Sequence, residues 1–361
     1  MIGEFKLEKM KICYINFNLN NSRDQITLRG LRENGVVVKE IADKTPGLKK
    51  YINIAREFVA CEKEYDLYMI GYAGSVLVIF IRLLSFRTRK RIVYNALATF
   101  YDSMIVSRGG GSLLSFSAPW YYLIDFLAFR FASQSFLECQ TQKDLVVGVF
   151  KINPDKISVC FVGTDDEKFY FDPEIPKLNN FTVVFRGAFL PEAGADIVVQ
   201  AAKELESENI SVRILGRGLL LKQIQDLIQE LKPSNVELIT ELLPIDILRN
   251  KMLECHLSLG QLADHPRVQT TVPHKVFESM AMKLPYLTGE NKGVLEVVRD
   301  GQTCFAVPPG DYRSLAHKIV ELRNRPEELN RVAENAYHLY QQEFTPKILA
   351  QKILEKLHLK N

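Results

Sequence analysis

The chain has 361 residues, which is longer than one ordinary domain and predicts two domains with separate cores. Hydrophobic residues make up 47% and charged residues 25% of the sequence, a balance that is typical of globular proteins and excludes a disordered chain. The 46 lysines and arginines barely exceed the 43 aspartates and glutamates, which argues against a dedicated nucleic-acid binder.

The six cysteines are far apart, with no Cys-x-x-Cys pair and no cysteine–histidine cluster at the spacing of a metal site. We therefore expect free, buried thiols in a reducing cytoplasm. The longest apolar run, residues 75–84, contains Arg82 and has about half of the ~20 residues that span a bilayer. Neither a membrane span nor a secretion signal is predicted. Residues 1–9 are left out of the fold prediction because the first apolar run begins after Met10.

The first half of the chain alternates short runs of β-branched and aromatic residues with helix-like stretches. This alternation predicts a parallel sheet covered by helices on both faces. The predicted strands are 11–16, 36–40, 67–71, 91–95, 135–139 and 156–162. The predicted helices are 24–34, 48–63, 75–86 and 120–131.

A polar, proline-bearing stretch at 163–177 interrupts this pattern and predicts a crossing between two domains. A second α/β series of similar size follows it, and the tail 326–357 is almost entirely helix-like and amphipathic. The predicted strands are 181–186, 211–215, 236–240, 255–259, 286–288 and 303–306. The predicted helices are 195–206, 219–230, 244–252, 275–282, 293–298 and 314–322.

One segment of the second half carries an ordered string of motifs. Residues 271–289 read TVPHKVFESMAMKLPYLTG, and Gly-Val-Leu-Glu at 293–296, Asp-Gly at 300–301 and Pro-Gly-Asp at 309–311 follow. This string resembles the retaining, nucleotide-sugar-dependent glycosyltransferases of family four. In that family a Pro-x-Lys-x-x-Glu run leads into a Glu-x-Met-Ala helix, a strand, a Gly-x-x-Glu turn and a Pro-Gly-Asp. The resemblance is good over 181–357 and looser over 11–172.

The resemblance implies the α/β GT-B fold, in which two doubly wound, Rossmann-like parallel-sheet domains face each other across a cleft. It implies that the N-terminal domain, residues 10–165, binds the acceptor. The C-terminal domain, residues 176–340, would bind the nucleotide sugar. The last helix, at about 340–361, could pack back on the N-terminal domain.

A helix that begins after Pro273 would direct its first-turn N–H groups and its positive dipole end towards a phosphate. Lys275 on that turn could neutralise a diphosphate leaving group, and Glu278 one turn later could accept hydrogen bonds from ribose hydroxyls. The resemblance assigns the same roles, whereas the alternative is an ordinary i, i+3 surface pair. The predicted donor-binding residues are Arg186, Gly187, Gly216, Arg217, Thr270, Lys275, Glu278 and Gly293.

The sequence departs from the family pattern in two places. Thr270 stands where members often carry a first glutamate, and the usual Gly-Arg and Lys-Gly cations are absent from residues 186–194, which read RGAFLPEAG. Arg186 and Arg217 could supply positive charge together with Lys275. The alternative for Arg186 is a salt-bridged strand end.

Acceptor-side residues are expected at the carboxyl ends of the first domain's strands, where open α/β folds bind ligands. The candidates are Asn20, Asn21, Arg23, Asn95 and Tyr101. Asp102 is the second catalytic candidate beside Lys275, because it matches a Tyr-Asp found in one branch of the family. The alternative for Asp102 is a loop carboxylate that caps a helix.

Two stretches of the first half predict contact with a membrane surface. Four basic residues follow the apolar helix at 75–86, and residues 113–131 are rich in aromatic side chains. A basic end with exposed aromatics favours peripheral binding to an anionic membrane, here at the inner face of the cell membrane. A buried crossover helix with a solvated charged end is the alternative. The basic residues are Arg87, Arg89, Lys90 and Arg91.

We therefore expect a cytoplasmic enzyme that transfers a sugar, with retention at the anomeric carbon, from a nucleotide-diphosphate donor to a hydroxyl of a sugar, lipid-linked or other acceptor. Bacterial polysaccharide, glycolipid or glycoconjugate synthesis is the expected setting. No cofactor and no metal are expected, because the chain lacks a closely spaced Asp-x-Asp. A GT-B homologue that has lost catalysis and acts as a nucleotide-binding or scaffold protein is the main alternative. A Rossmann oxidoreductase is disfavoured, because Gly216-x-Gly218 lacks the third glycine of the dinucleotide-binding pattern.

Overall fold

The computed structural model describes residues 10–101 and 118–358. Asp102 and the start of the predicted aromatic segment lie outside these residues. The chain divides into two compact units. The N-terminal unit comprises the described residues up to 163 together with 346–358, and the C-terminal unit comprises 164–345.

The N-terminal unit contains a six-stranded parallel sheet in the order β2-β1-β3-β4-β5-β6. The strands are β1 (Lys11–Asn16), β2 (Val37–Ala42), β3 (Leu67–Ile70), β4 (Arg91–Leu97), β5 (Gln134–Leu137) and β6 (Ile157–Val159). The helices between them are α1 (Ser22–Glu33), α2 (Lys49–Cys61), α3 (Ser75–Leu84), α4 (Ala118–Phe131) and α5 (Gln140–Phe150). The central strands β1, β3, β4 and β5 are almost wholly buried, as expected of a parallel sheet covered on both faces.

The C-terminal unit contains a second six-stranded parallel sheet, in the order β12-β11-β10-β7-β8-β9. Its strands are β7 (Thr182–Arg186), β8 (Ser211–Leu215), β9 (Val236–Ile239), β10 (Leu257–Leu259), β11 (Tyr286–Gly289) and β12 (Phe305–Val307). Its helices are α6 (Ala195–Leu205), α7 (Leu221–Leu231), α8 (Ile245–Leu253), α9 (His274–Ala281), α10 (Lys292–Leu295), α11 (Tyr312–Arg323) and α12 (Pro326–Glu343).

The last helix, α13 (Pro346–His358), belongs to the N-terminal unit and packs on α1. The contact is close because Gly30 has no side chain, so that the backbone of Pro346 lies where a Cβ would be. The Asn34 amide donates a hydrogen bond to the carbonyl of Lys347 at 2.8 Å, and Arg91 Nη1 donates one to the carbonyl of Leu357 at 2.8 Å. Polar bonds therefore fix both ends of this helix.

The strand orders define where each sheet reverses direction of winding. In the C-terminal unit the reversal lies between β7 and β10, and in the N-terminal unit it lies between β1 and β3. Open α/β sheets bind ligands outside the carboxyl ends of the strands at such switch points. A ligand site is therefore expected at the loops that follow β7 and β10, or at those that follow β1 and β3.

The two parallel, helix-covered sheets confirm the fold class predicted from the sequence. Helix α5 was not among the predicted helices, because its apolar stretch Val146–Phe150 is short and contains Gly148, which makes it look like a strand. The predicted helix at 293–298 is only the single turn α10. Five of the six free cysteines are buried and Cys61 is half-buried. Within the described ranges, no helix is both long and apolar enough to cross a bilayer.

Candidate functional site

Lys275 lies at the switch point of the C-terminal sheet, on the first turn of α9. Its Nζ is 3.8 Å from the centroid of the Phe185 ring on β7 and donates a long hydrogen bond of 3.4 Å to the carbonyl of Gly260, the residue after β10. Only 8% of the residue is exposed. One side chain thus connects α9 with the ends of the two strands between which the sheet reverses.

Two glycines at the strand ends make room for this arrangement. Gly187 follows β7 with a φ of +152°, and a Cβ there would lie 2.7 Å from Cε of Lys275. Gly216 follows β8, and a Cβ there would overlap the carbonyl oxygen of Gly187. A side chain at either position would therefore displace the lysine or separate the two loops.

Arg186, the last residue of β7, forms an ion pair with Glu278 on α9. Its Nη1 donates to both carboxylate oxygens, at 2.8 and 2.9 Å. The Glu278 side chain is 5% exposed and that of Arg186 is 29% exposed. Arg186 thus forms the salt bridge at a strand end that was the alternative to diphosphate binding. Its partner, Glu278, is the residue predicted to bind the ribose.

The surroundings of Lys275 disfavour its charged form. Burial, followed by repulsion from Arg186, lowers the pKa of Lys275 to about 7, although Glu278 acts in the opposite direction. An ammonium group has three N–H donors, and here it has one long hydrogen bond and an aromatic ring. The site is therefore able to accept an anion that would satisfy the remaining donors.

A cavity of about 330 Å³ opens beside these residues, at the carboxyl ends of β7, β8 and β9. Arg186 and Gly187 form one wall and Gly216 and Arg217 the next, while the loop after β9 and Leu248 of α8 close the remainder. Arg217 is exposed, and its guanidinium makes no hydrogen bond or ion pair with any described residue. The cavity thus combines an apolar floor with an arginine that is available to a ligand.

Thr270 and Gly293 come together next to the start of α9. The hydroxyls of Thr270 and Thr271 both donate to the carbonyl of Arg267, each at 3.2 Å. Gly293 in α10 lies directly against the backbone of Thr271. Within the part of the chain that the structure describes, no three His, Cys, Asp or Glu side chains are grouped as a metal site requires.

In the N-terminal unit, Arg23 and Asn95 are buried in one hydrogen-bond network. Arg23 Nε donates to Asn95 Oδ1 at 2.8 Å, and its Nη1 donates to the carbonyls of Cys160 and Phe161 at 3.0 and 2.9 Å. Asn95 in turn donates to the Tyr14 and Thr27 hydroxyls at 3.1 and 3.0 Å. The residues are 2% and 0% exposed and hold strands and loops together, and the buried Nη2 of Arg23 has no hydrogen-bond partner among the described residues.

The other acceptor-side candidates are more accessible. Asn20 is exposed and Asn21 is half-buried, where it caps α1 by accepting from the Asp24 amide at 2.9 Å. The backbone amide of Tyr101 donates to Asp125 at 2.7 Å. Asn20 and Asn21 therefore lie at the N-terminus of α1, beside the switch point between β1 and β3.

The structure divides the basic cluster that follows α3. Lys90 donates to three backbone carbonyls, those of Glu62, Lys63 and Tyr65, at 2.5–2.9 Å, and Arg91 is bonded to Leu357. Both side chains therefore bond to backbone carbonyls of the N-terminal unit, whereas the sequence led us to expect four cations that face a membrane. Arg87 and Arg89 are exposed and make no hydrogen bond or ion pair with any described residue.

Sequence reasoning missed several residues of these sites. Gly260 follows β10 just as Gly187 follows β7, so a glycine directly after an apolar strand was the available signal. Asp24 accepts four hydrogen bonds at the N-terminal switch point, from Tyr14, Asn16, Asn21 and the Tyr72 amide at 2.6–2.9 Å. The residues after β9 that line the cavity carry no motif.

Comparison with known proteins shows a family match over the C-terminal unit. Residues 165–339 match the family described as glycosyl transferases group 1. The chain is 26% identical over 177 residues to an uncharacterized glycosyltransferase of Methanocaldococcus jannaschii, covering 49% of this chain and 46% of that protein. It is 22% identical over 250 residues to the capsular polysaccharide biosynthesis glycosyltransferase CapM of Staphylococcus aureus, covering 64% and 63% of the two chains. The chain thus spans roughly half the length of these curated relatives.

A solved structure resembles the chain over nearly its full length. HepE of Anabaena, crystallised with UDP and glucose, aligns with a TM-score of 0.73 and 20% identity, covering 97% of this chain and 99% of that one. At this identity the likeness shows the fold, which is GT-B. The family match covers residues 165–339, just under half of the chain, so it is the C-terminal unit that matches the glycosyl transferases group 1.

Proposed function

We propose that this chain is a retaining glycosyltransferase that moves a sugar from a nucleoside-diphosphate donor to a hydroxyl acceptor. The observation that carries the proposal is the position of Lys275 and Glu278, one turn apart on α9 at the switch point between β7 and β10. A cation and a carboxylate in this arrangement match the two polar parts of a nucleotide, the diphosphate and the ribose.

The diphosphate binds at the start of α9. First-turn N–H groups of the helix and the Lys275 ammonium bind its oxygens, and Arg217 contributes from the rim of the cavity. Negative charge builds up on the leaving phosphate as the sugar–oxygen bond breaks, so a cation there stabilises the transition state more than the ground state. These groups neutralise the charge of the diphosphate in place of the two cations that the family usually carries and that residues 186–194 lack.

The nucleoside binds in the cavity beyond β7, β8 and β9. Its volume of about 330 Å³ is within the range of small-molecule pockets, and its leucine and isoleucine lining offers an apolar surface to a base. Glu278 accepts the ribose hydroxyls while Arg186 holds the carboxylate in place. A carboxylate has about four lone-pair sites, so the bonds from Arg186 leave positions for two hydroxyls.

The acceptor hydroxyl attacks the anomeric carbon on the face from which the diphosphate departs. The bond from that carbon to the phosphate oxygen breaks, and the phosphate oxygen takes the proton of the acceptor. This course gives retention without a protein nucleophile. Among the described candidate residues of the N-terminal unit, Asn20, Asn21 and Tyr101 are the accessible ones for orienting the acceptor.

The donor is a UDP-sugar and the acceptor a growing polysaccharide or glycolipid. The support for the base is the likeness to HepE, whose crystal structures contain UDP and UDP-glucose. The support for the acceptor is the similarity to CapM, which is named for capsular polysaccharide synthesis. Asp102, which lies outside the described residues, keeps its place as a catalytic candidate on the acceptor side.

A panel of nucleotide sugars tests the proposal. Thermal unfolding should show one donor that stabilises the protein, because a ligand at 100 times its Kd adds about 2.7 kcal/mol to the unfolding free energy. The same donor should release its nucleoside diphosphate when a hydroxyl acceptor is supplied. Stabilisation without release under every acceptor would favour the inactive nucleotide-binding homologue. No stabilisation by any donor would refute the proposal.

We also propose that the N-terminal unit binds an anionic membrane surface through the end of α3. Leu83 and Phe86 are 68% and 72% exposed, and Arg87 and Arg89 follow them with free guanidinium groups within the described chain. Apolar side chains next to unpaired cations suit the boundary between acyl chains and anionic headgroups. Trp120 at the start of α4 is a further exposed aromatic residue of this unit, with 61% exposure.

Sedimentation with lipid vesicles tests the membrane proposal. The protein should sediment with vesicles that contain phosphatidylglycerol, less with added salt, and not with pure phosphatidylcholine vesicles. The double variant Arg87→Ser/Arg89→Ser should lose most of the binding, whereas Leu48→Ser, which removes a leucine that is 78% exposed just before α2, should retain it. Equal binding to neutral and anionic vesicles, or none to either, would contradict it.

A further inference from the structure

The side chain of Lys275 follows a path that leaves its ammonium group poorly solvated. Its stem passes the Cα of Gly187, where a Cβ would lie 2.7 Å from Cε and 3.2 Å from Nζ. Beyond that point, Nζ faces the Phe185 ring at 3.8 Å and, among the described residues, makes one long hydrogen bond, to the carbonyl of Gly260. The ammonium group contacts a ring face and a carbonyl instead of bulk water, and these two groups compensate its positive charge only in part.

Among the described residues, Arg186 and Glu278 are the charged groups that act on this ammonium. Arg186 at the end of β7 repels it, and Glu278 on its own helix attracts it, but both oxygens of Glu278 already accept from Arg186. From β11, the phenol of Tyr286 lies near Gly260, and burial raises the pKa of this phenol, so it stays neutral. Phe344, which follows α12, packs its ring against the ring of Phe277 on α9, and this contact adds no charge.

We propose, on the basis of the proposed glycosyltransferase function, that binding of the donor diphosphate is coupled to the uptake of one proton by Lys275. Without a donor, the amine is largely neutral above neutral pH, because its buried position compensates the charge poorly. When the diphosphate binds, its negative oxygens supply hydrogen-bond acceptors and opposite charge, so the protonated form becomes the stable one. The proton comes from the solvent, and no covalent bond changes.

The coupling has a measurable consequence for affinity. A pKa of about 7 for Lys275 means that, above this pH, the binding of each donor requires Lys275 to take up a proton from the solvent. The apparent Kd of the donor should then rise about tenfold per pH unit above 7, and it should be independent of pH well below 7. The site therefore binds its donor more tightly as the pH falls towards neutrality.

Calorimetry of UDP-glucose binding to the full chain tests the proposal directly. Both phosphates of this probe are diesters and do not titrate near neutral pH, so protons taken up must come to the protein. Titrations at about pH 8 in phosphate and in Tris, whose ionisation enthalpies differ, should give a difference that corresponds to about 0.9 proton taken up, as a pKa of 7 requires. At about pH 5.5 the difference should vanish.

Two substitutions assign the proton. Lys275→Arg should bind with no proton uptake at pH 8, because a guanidinium is always protonated. Lys283→Arg, at a lysine just beyond α9 that pairs with Glu334, should leave the uptake unchanged. Wild-type binding without proton uptake would overturn the inference and leave the proposed function intact, as would uptake that persists in Lys275→Arg. Failure of every donor in the panel to bind would instead refute the proposed function.

A second measurement covers the case in which Lys275→Arg fails to fold or bind. Carbon-13 NMR of wild-type protein with labelled lysines should show one lysine Cε signal that titrates near pH 7 in the free protein. In the complex with UDP-glucose the same signal should titrate above pH 9. Its identity follows from the loss of that signal in Lys275→Met. A titration midpoint above 9 for this lysine without the donor would overturn the inference.

Discussion

Arg186 and Glu278, which are 92 residues apart in the sequence, form an ion pair in which one guanidinium nitrogen donates to both carboxylate oxygens at 2.8 and 2.9 Å. The pair joins the end of β7 to the middle of α9 and lies beside Lys275. It engages the arginine that the sequence offers as a diphosphate ligand, so in the proposed reaction Lys275 and Arg217 are the cations that neutralise the diphosphate. It also orients the carboxylate proposed to bind ribose.

Replacement of Glu278 should impair use of the donor. Glu278→Ala should lower kcat/KM at least about tenfold, because a hydrogen bond to a charged group contributes ~1.5–3 kcal/mol. Steady-state kinetics with varied donor measure this effect. Glu290→Ala, which removes an exposed carboxylate after β11, is the control and should behave as wild type. Unchanged donor kinetics in a folded Glu278→Ala would remove this residue from the site.

Substitution of Gly187 should displace Lys275 and strain the loop. Gly187→Ala places a Cβ 2.7 Å from the lysine Cε and demands a φ of +152°, which costs about 1–3 kcal/mol of stability for a residue with a side chain. Activity should fall about tenfold or more, because an ammonium group shifted by an ångström no longer meets the leaving phosphate. Denaturation and initial rates measure the two effects. Gly148→Ala in α5, where a Cβ meets nothing within 4 Å, should leave activity unchanged and stabilise the protein by about 0.5–1 kcal/mol, and equal behaviour of the two variants would contradict the assigned role of Gly187.

The proposed leaving-group chemistry uses cations of the protein, and it predicts transfer activity that is independent of a divalent metal. Activity should therefore survive an excess of EDTA. Initial rates with and without the chelator decide the matter. Complete loss of activity with EDTA, restored by added Mg²⁺ or Mn²⁺, would show that a metal stabilises the diphosphate.

The depressed pKa of Lys275 also predicts how stability depends on pH. In the unfolded chain this lysine keeps its usual pKa of 10.5, whereas in the folded protein the pKa is about 7. Between these values the unfolded state binds more protons, so the free energy of unfolding should rise with pH, by about 1.4 kcal/mol per unit from this residue. Comparison with Lys275→Met isolates the effect: from pH 7.5 to 9 the wild type should gain about 2 kcal/mol relative to the variant. Parallel pH profiles of the two proteins would contradict the shifted pKa.

Much of this architecture can be predicted from the sequence. The alternation of strands and helices predicts both parallel sheets, and the spacing of Pro273, Lys275 and Glu278 predicts a helix start with a cation and a carboxylate on it. These are local features, because they depend on periodicity within a few turns or on residues one turn apart. Such features can be predicted because the residues that define them are close together in the sequence as well as in the folded protein.

Features that depend on strand order cannot be read in the same way. The Arg186–Glu278 pair and the Phe185 ring below Lys275 exist because β7 lies next to β10, which no local pattern encodes. The hydrogen bonds of Arg23 and Asn95 are also long-range. Arg23 at the start of α1 and Asn95 on the buried strand β4 are polar candidates in the sequence, and in the structure they bond to each other and to polar groups of elements that are distant in the chain.

The rate of sugar transfer by Lys275→Ala tests the central claim most directly. With saturating donor and acceptor, kcat should fall about 100-fold or more, the usual loss when a developing anion loses one preorganised partner, with a smaller change in the KM of the donor. Arg217→Ala and Arg186→Ala should each cost less, since the first is exposed and the second is engaged by Glu278. A folded Lys275→Ala enzyme with near-normal kcat would show that the diphosphate is stabilised elsewhere and would contradict the account.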